Sequence, residues 1–342
     1  MEIGKTSSSS ASTTSSANKK SRAAALIALG ISVVCISWSA PFVRWAQVPG
    51  ITSAFYRALV AAIIVVPYWV VTRDRSHSPS RNAVLLALLG GVFFGFDLAL
   101  FNTAVLKTSA TTAMVLTNNS PVLVGIGTWL IFRERPRLAF WVGLVLALVG
   151  CLVIVAGDMF KHGGVGIGDV GGDTLAALAS VFFAAYLITT GRIRPGMDTV
   201  TFTALAIIGS TVMMLVTCLL LGAPLTGFHA SAWPWLIGLG VVTQLGGYLG
   251  VTYALGRLPA TAASVILLGV MPVTALFAVI FLHEPLQMAQ IIGGSLVLAG
   301  IFVVNRRTAD NTLTKRNDRT PDGHAADIVA ARERLSVELE RL

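Results

Sequence analysis

One stretch of this chain occurs twice. Val105–Val155 is echoed by Leu255–Val304, and both stretches are almost purely apolar. The first opens Leu106-Lys107-Thr108-Ser109-Ala110-Thr111-Thr112-Ala113 and continues to Pro121, Glu134, Gly143 and Gly150. The second opens Gly256-Arg257-Leu258-Pro259-Ala260-Thr261-Ala262-Ala263 and continues to Pro272, Glu284, Gly293 and Gly300. The prolines lie 151 residues apart and the other pairs 150. Many membrane carriers are doubled in this way, with the cargo held between the copies. Two like halves are therefore expected, and transport is the leading reading.

The apolar character is too strong for a soluble domain. Hydrophobic residues make up 55% of the chain, charged residues 12%, and the mean hydropathy is +0.77. Soluble domains carry about 25% charged residues. Apolar runs lie at about 23–46, 52–72, 82–104, 109–131, 138–157, 172–190, 200–222, 232–254, 260–282 and 287–304. Most approach the roughly 20 residues that a helix needs to cross a bilayer. They lack period-2 alternation, and only helices or closed barrels satisfy their backbone in lipid. The expected fold is all-α and polytopic: ten transmembrane helices arranged as two inverted five-helix repeats.

Charge sets the orientation. One series of loops carries Arg73, Arg75 and Arg81; Arg133, Arg135 and Arg137; Arg192 and Arg194; and Arg257. The opposite series carries only Lys107 and Lys161. Basic residues stay cytoplasmic, so both termini are expected there. Five helices per copy is an odd number, so the second copy enters from the opposite side. The net charge of +9 does not signal nucleic acid, because the basic residues are spread over tails and alternate loops. The partners expected are the lipid bilayer, a small-molecule substrate and protons as the coupling ion, in a monomer or a homodimer.

The expected organisation is a disordered cytoplasmic tail (1–22), a first repeat (23–157), a glycine-rich extracytoplasmic linker (158–171), a second repeat (172–304) and a polar cytoplasmic tail (305–342). The Ser/Thr-rich start is longer than a signal peptide's basic region, and the apolar run after Arg22 is long enough to span. Cys35, Cys151 and Cys218 are dispersed within apolar segments, which implies no disulfide framework and no metal site. No cofactor motif is present.

Several residues carry a resemblance. They are Ser37-Trp38-Ser39, Pro49, Phe55-Tyr56-Arg57, Ala104, Thr108-Ser109-Ala110, Pro121, Glu134-Arg135-Pro136, Gly143 and Gly150. Tyr253-Ala254, Pro259-Ala260, Pro272, Glu284-Pro285, Gly293 and Gly300 repeat the pattern. Their order and doubling, over roughly 23–304, resemble the EamA-type members of the drug/metabolite transporter superfamily. That resemblance implies ten helices around a central cavity and, in many members, export of amino acids or related metabolites. It does not fix a substrate. The first half departs from the second in carrying Asn118-Asn119 before its proline, where the second has Gly269-Val270.

Asp97 is the one acid deep inside an expected span, Asp173 standing only at the edge of another. A charge at a helix centre costs about 2.5–3.5 kcal/mol on insertion scales, so it needs a partner, water or a proton. Two readings stand: a structural ion pair with Arg57 or Arg44, and proton coupling. Trp38 sits well inside helix 1, whereas the other tryptophans fall near helix ends. It is read as lining the cavity or packing in the core. Asn118, Asn119 and Pro121 face Pro272 as matched interruptions, which point to a midplane site. The two asparagines either bind polar cargo or satisfy the backbone freed by the proline. Gln244 and Tyr248 share a helix face, and Tyr186 joins them as a candidate cavity residue. Pro41, Pro121 and Pro272 are candidate hinges.

Other classes fit less well. Gly166-Ile167-Gly168-Asp169 has the shape of an intramembrane aspartyl protease motif, but it lies in a glycine-rich loop. No P-loop, HExxH or GxSxG is present. A scaffold needs no matched prolines. Through the resemblance, alternating-access export of a small amphipathic metabolite across an inner membrane is the expected function, with uptake of a vitamin- or nucleoside-like molecule as the alternative.

Overall fold

The computed structural model describes residues 6–73, 79–107, 116–117, 119–133, 136, 138–161, 170–282 and 288–317. Asn118, Glu134, Glu284, most of the interrepeat linker and the 166–169 motif lie outside the described residues. So does the side chain of Arg44.

Among the described residues every regular element is helical. The first half holds α1 (Thr6–Ser37), α2 (Ser39–Ala46), α3 (Gly50–Thr72), α4 (Arg81–Lys107), α5 (Ser120–Phe132) and α6 (Leu138–Lys161). The second holds α7 (Val170–Ile193), α8 (Thr199–Leu220) and α9 (Trp233–Gly238). A π-helical segment (Leu239–Tyr248) follows, then α10 (Leu249–Leu255), α11 (Ala260–Leu267), α12 (Val270–Leu282) and α13 (Met288–Asn317). Among the described residues six spans are long and apolar enough to cross a membrane: Lys20–Val43, Gly50–Thr72, Arg81–Phe101, Val170–Gly196, Thr199–Leu220 and Ala230–Leu255. Four shorter apolar helices accompany them: Ser120–Ile131, Leu138–Ile154, Ala260–Thr274 and Met288–Val304. α1 begins at Thr6, within the Ser/Thr-rich stretch, and α13 continues past its apolar run to Asn317.

The helix breaks have local causes. Pro41 has no N–H to give to the preceding turn, and α1 gives way to α2 at Trp38, three residues earlier. Pro121 lies in the first turn of α5, just after a turn at Asn119. Pro272 lies in the first turn of α12, after a turn at Leu268 and Gly269. The two prolines thus follow breaks at matching places.

Close approaches occur at small residues. α6 and α13 run antiparallel, Gly143 meeting Gly300 and Gly150 meeting Gly293 backbone to backbone. α4 packs on α7 and α8, and Gly91 abuts the Ala206 backbone. α1 packs on the π segment and α10, where Gly250 abuts Ser32 and Ala28. α3 packs on α8 and on the π segment, where Gly240 meets Val60. Without a side chain the backbones come together and gain dispersion contacts, which drive helix association where hydrophobic burial does not. The outward face is apolar instead: Val71, Leu130, Leu138 and Leu220 are all exposed.

Candidate functional site

The interior polar groups converge on one narrow cavity. It is nearly filled by its own lining, with room for about one water molecule. α4 contributes Phe94, α7 Tyr186, and α8 Thr203, Ala206, Ile207 and Ser210. Gln244 and Tyr248 come from the π segment and Thr252 from α10. Three rings form one wall: Phe94 lies 4.5 Å from Tyr248 and 4.9 Å from Tyr186, centroid to centroid. Tyr186 and Tyr248 are 6.4 Å apart.

The π segment places two of these groups. A π turn bonds i to i+5 and opens the helix, and such turns cluster at functional sites. Here it carries Gln244 and Tyr248, both of which line the cavity. Gln244 is held by Arg57 of α3, whose Nε donates to Gln244 Oε1 at 2.8 Å. Arg57 Nη1 donates to Ser39 Oγ at 3.2 Å, so one buried guanidinium ties α3 to α2 and the π segment. Its carbon lies 5.4 Å from the Tyr248 ring centroid. Its Nη2 is buried and makes no hydrogen bond of good geometry among the described residues. Asp97, on α4, is buried and interacts through space with both Arg57 and Tyr248. The direct hydrogen-bond partners of Arg57 are neutral groups, and the carboxylate acts on it at longer range.

The remaining hydroxyls differ in use. Ser210 Oγ donates to Ile207 O at 3.0 Å, and Thr190 Oγ1 to Tyr186 O at 2.7 Å. The Tyr186 hydroxyl lies near the Thr190 and Thr252 side chains. Thr203 Oγ1 is buried in the cavity wall and finds no partner among the described residues. A buried hydroxyl without a partner is costly, and a bound polar molecule removes that cost.

Two expected residues stand elsewhere. Trp38 packs against Phe277 and Phe281, each at 4.7 Å, and against Phe42 at 5.4 Å. It does not line the cavity. Trp38→Ala should lower stability by about 2 kcal/mol through loss of these ring contacts, and Trp38→Phe should retain most of it. Thermal unfolding in detergent measures both. Asn119 turns back on its own chain, its Nδ2 donating to Leu116 O at 3.3 Å. Its carbonyl accepts from Val122 N at 3.0 Å, so it serves the break ahead of Pro121. At the second break Ser37 Oγ donates to Val270 O at 3.2 Å, joining α1 to the start of α12.

Sequence reasoning missed Ser39 as an Arg57 ligand and Thr203 as a cavity group. Ser39 stood within a quoted motif, so its place was marked but not its partner. Thr203 carried no signal, because most threonines in apolar helices bond their own backbone, as Thr190 and Thr217 do here.

Comparison with known proteins places this geometry. The model of the EamA-like transporter family matches the chain twice, over residues 23–156 and 170–306. The uncharacterized transporter YwfM of Bacillus subtilis (strain 168) is 27% identical over 263 residues, covering 74% of this chain and 82% of that protein. YetK of the same organism, also an uncharacterized transporter, is 28% identical over 306 residues, covering 83% and 85%. An uncharacterized transporter of Archaeoglobus fulgidus is 25% identical over 283 residues, covering 81% and 95%. A protein of known crystal structure shares the fold with a TM-score of 0.70 at 18% identity, over 83% of this chain and 98% of that one. The doubled family match and the apolar helices make this chain a multi-pass membrane transporter belonging to the EamA-like transporter family.

Proposed function

We propose that the chain is a secondary transporter whose two halves are inverted repeats that rock about the central cavity. It moves a small amphipathic metabolite, an amino acid or related compound, outward across the inner membrane with both termini cytoplasmic. The observation that carries this reading is exchange symmetry in the packing. The contact of Gly143 with Gly300, moved by 150 residues in opposite senses, becomes the contact of Gly293 with Gly150. The same exchange turns α4 on α7 into α10 and the π segment on α1, and α4 on α8 into the π segment on α3. A structure unchanged by swapping its halves has two mirror-related states of similar energy, which is what alternating access requires.

The cavity chemistry supports the cargo class. Small-molecule pockets usually measure about 300–1,000 Å3, and the space here is far smaller, so on this reading the state described is closed around its site and must open to admit cargo. Three aromatic rings face the Thr203 hydroxyl and the Gln244 amide. Nearby, Arg57 and Asp97 contribute opposite charges. That setting fits a molecule with an apolar body and little net charge and does not fit a multiply charged phosphate ester. Asp97 is the candidate for proton coupling.

Purified protein in oriented vesicles, screened against metabolite mixtures under an imposed pH gradient, tests this. Saturable movement of a small amphipathic compound is expected. Thr203→Val should raise its KM about threefold to tenfold, the worth of one neutral hydrogen bond, with no loss of melting temperature. Failure to move any small molecule in either vesicle orientation would refute the reading. Retained transport with unchanged pH dependence in Asp97→Asn would remove that carboxylate from the coupling.

A further inference from the structure

Arg57 fixes which way the Gln244 amide points. A guanidinium carries donors and no acceptor, so the atom that meets Arg57 Nε at 2.8 Å must be the amide oxygen, Oε1. This settles an orientation that the shape of a glutamine leaves open. The amide nitrogen remains for the cavity, which Gln244 lines while only 2% exposed. Tyr248 is placed similarly. Arg57 lies near its hydroxyl and offers it no acceptor, so the phenolic hydrogen must be taken elsewhere. On α8, the buried Thr203 hydroxyl has no partner among the described residues and can donate as well.

The arrangement is held tightly. Ser39 Oγ accepts from Arg57 Nη1 at 3.2 Å, so the guanidinium is gripped at two points. Beside it α3 and the π segment are in close contact: a Cβ on Gly240 would lie 2.5 Å from Val60 Cβ and 3.2 Å from Arg57 O. Asp97 acts on Arg57 through space and offsets its charge. The cavity is therefore marked by the direction of its hydrogen bonds more than by net charge. Gln244, Tyr248 and Thr203 all have hydrogens to give. A ligand amide or ammonium would set its own N–H groups against them. A carboxylate brings acceptors only, on two oxygens, and the bonds it accepts are the stronger kind.

We propose that Arg57 is a positioning residue that makes this cavity a donor site, and that the cargo is held there by a carboxylate. Gln244 Nε2 is the donor that Arg57 commits to that group. Arg57 itself is not part of the lining and acts through Gln244. The state described has room for about one water molecule, so cargo enters only as the molecule opens. The donors are set before it arrives, which spares the ordering cost of binding. The apolar body of the cargo then lies against Phe94, Tyr186 and Tyr248. The proposal rests on the reading of this cavity as the cargo site.

The test is ligand binding by the full chain in detergent, read as the rise of melting temperature with ligand concentration. Three probes share one branched apolar body. 4-Methylpentanoate carries a carboxylate alone, L-leucine a carboxylate with an ammonium, and L-leucinamide an ammonium without a carboxylate. Both acids should bind at least about tenfold more tightly than the amide, the scale of one charge-assisted hydrogen bond. Gln244→Glu leaves Arg57 Nε its acceptor but turns an oxygen to the cavity in place of the N–H donor. The variant should remain folded, while both acids lose at least about tenfold in affinity. Arg57→Lys keeps the charge without the two-point grip, and should lower the ratio of acid to amide affinity. A purely structural role for Arg57 would weaken all three probes alike. If Arg57→Lys does not fold, Gln244→Glu carries the test. Leucinamide bound as tightly as the acids, acids bound as tightly by Gln244→Glu as by the parent, or no stabilisation by either acid overturns the proposal. Saturable vesicle transport of a compound without a carboxylate would then leave the transporter reading standing. No transport of any small molecule would remove both.

Discussion

Gly150→Leu is expected to leave little folded protein. A Cβ on residue 150 would sit 2.5 Å from Gly293 O, 2.8 Å from Val297 N and 2.9 Å from Leu296 Cβ. Two of these atoms belong to backbone, which cannot turn aside as a flexible side chain can. The two helices must then separate along the length where Gly143 and Gly300 also touch. Overpacking costs about 1–3 kcal/mol where a core yields slightly, and more where it cannot. Set against a total stability of about 5–15 kcal/mol, that loss is severe. Gly30→Leu is the control, because nothing lies within 4 Å of its Cβ position. Size-exclusion chromatography in detergent should show the monodisperse fraction of Gly150→Leu reduced about tenfold and Gly30→Leu like the parent. A parental profile for Gly150→Leu would mean that α6 and α13 do not meet there.

The second large effect concerns Arg57. Its removal strands Gln244 and Ser39 and leaves the buried Asp97 without its nearby positive charge. Truncating one partner of a buried charged network typically costs about 3–5 kcal/mol, because the other charge stays behind. Arg57→Leu should therefore unfold at much lower temperature, while Asp97→Asn alone is milder. The double variant should be less damaged than the two losses combined, with a coupling of about 1–2 kcal/mol. A thermal-unfolding cycle measures this. Strict additivity would show that Asp97 and Arg57 do not sense each other.

The sequence announced some of this and hid the rest. Spans were legible because lipid imposes a length and an apolar character that few other environments demand. The matched glycines were legible as a repeat, but that Gly143 meets Gly300 is a property of how two helices cross. Gln244 and Tyr248 stood out by their four-residue spacing, and both line the cavity together with Tyr186. The π segment beneath them had no signal beyond Gly246-Gly247, because no residue type encodes an i+5 bond. Trp38 was recognised as unusual by its depth, yet depth alone cannot say which neighbour a ring turns toward. Here it turns to Phe277 and Phe281, which the sequence leaves 239 and 243 residues away. The burial of Arg194 was masked by its own plausibility, since an arginine after a span satisfies the charge rule whether exposed or buried.

The opposed orientation of the halves is the claim on which the transport cycle depends, and sidedness labelling tests it most directly. Ser80 precedes α4 and Ala230 opens the turn before α9, 150 residues later, and both are exposed. Single cysteines at these positions should react with an impermeant reagent from opposite faces of the membrane, Ser80→Cys from the cytoplasmic side and Ala230→Cys from the other. Reaction of both from one face would contradict the inverted repeat.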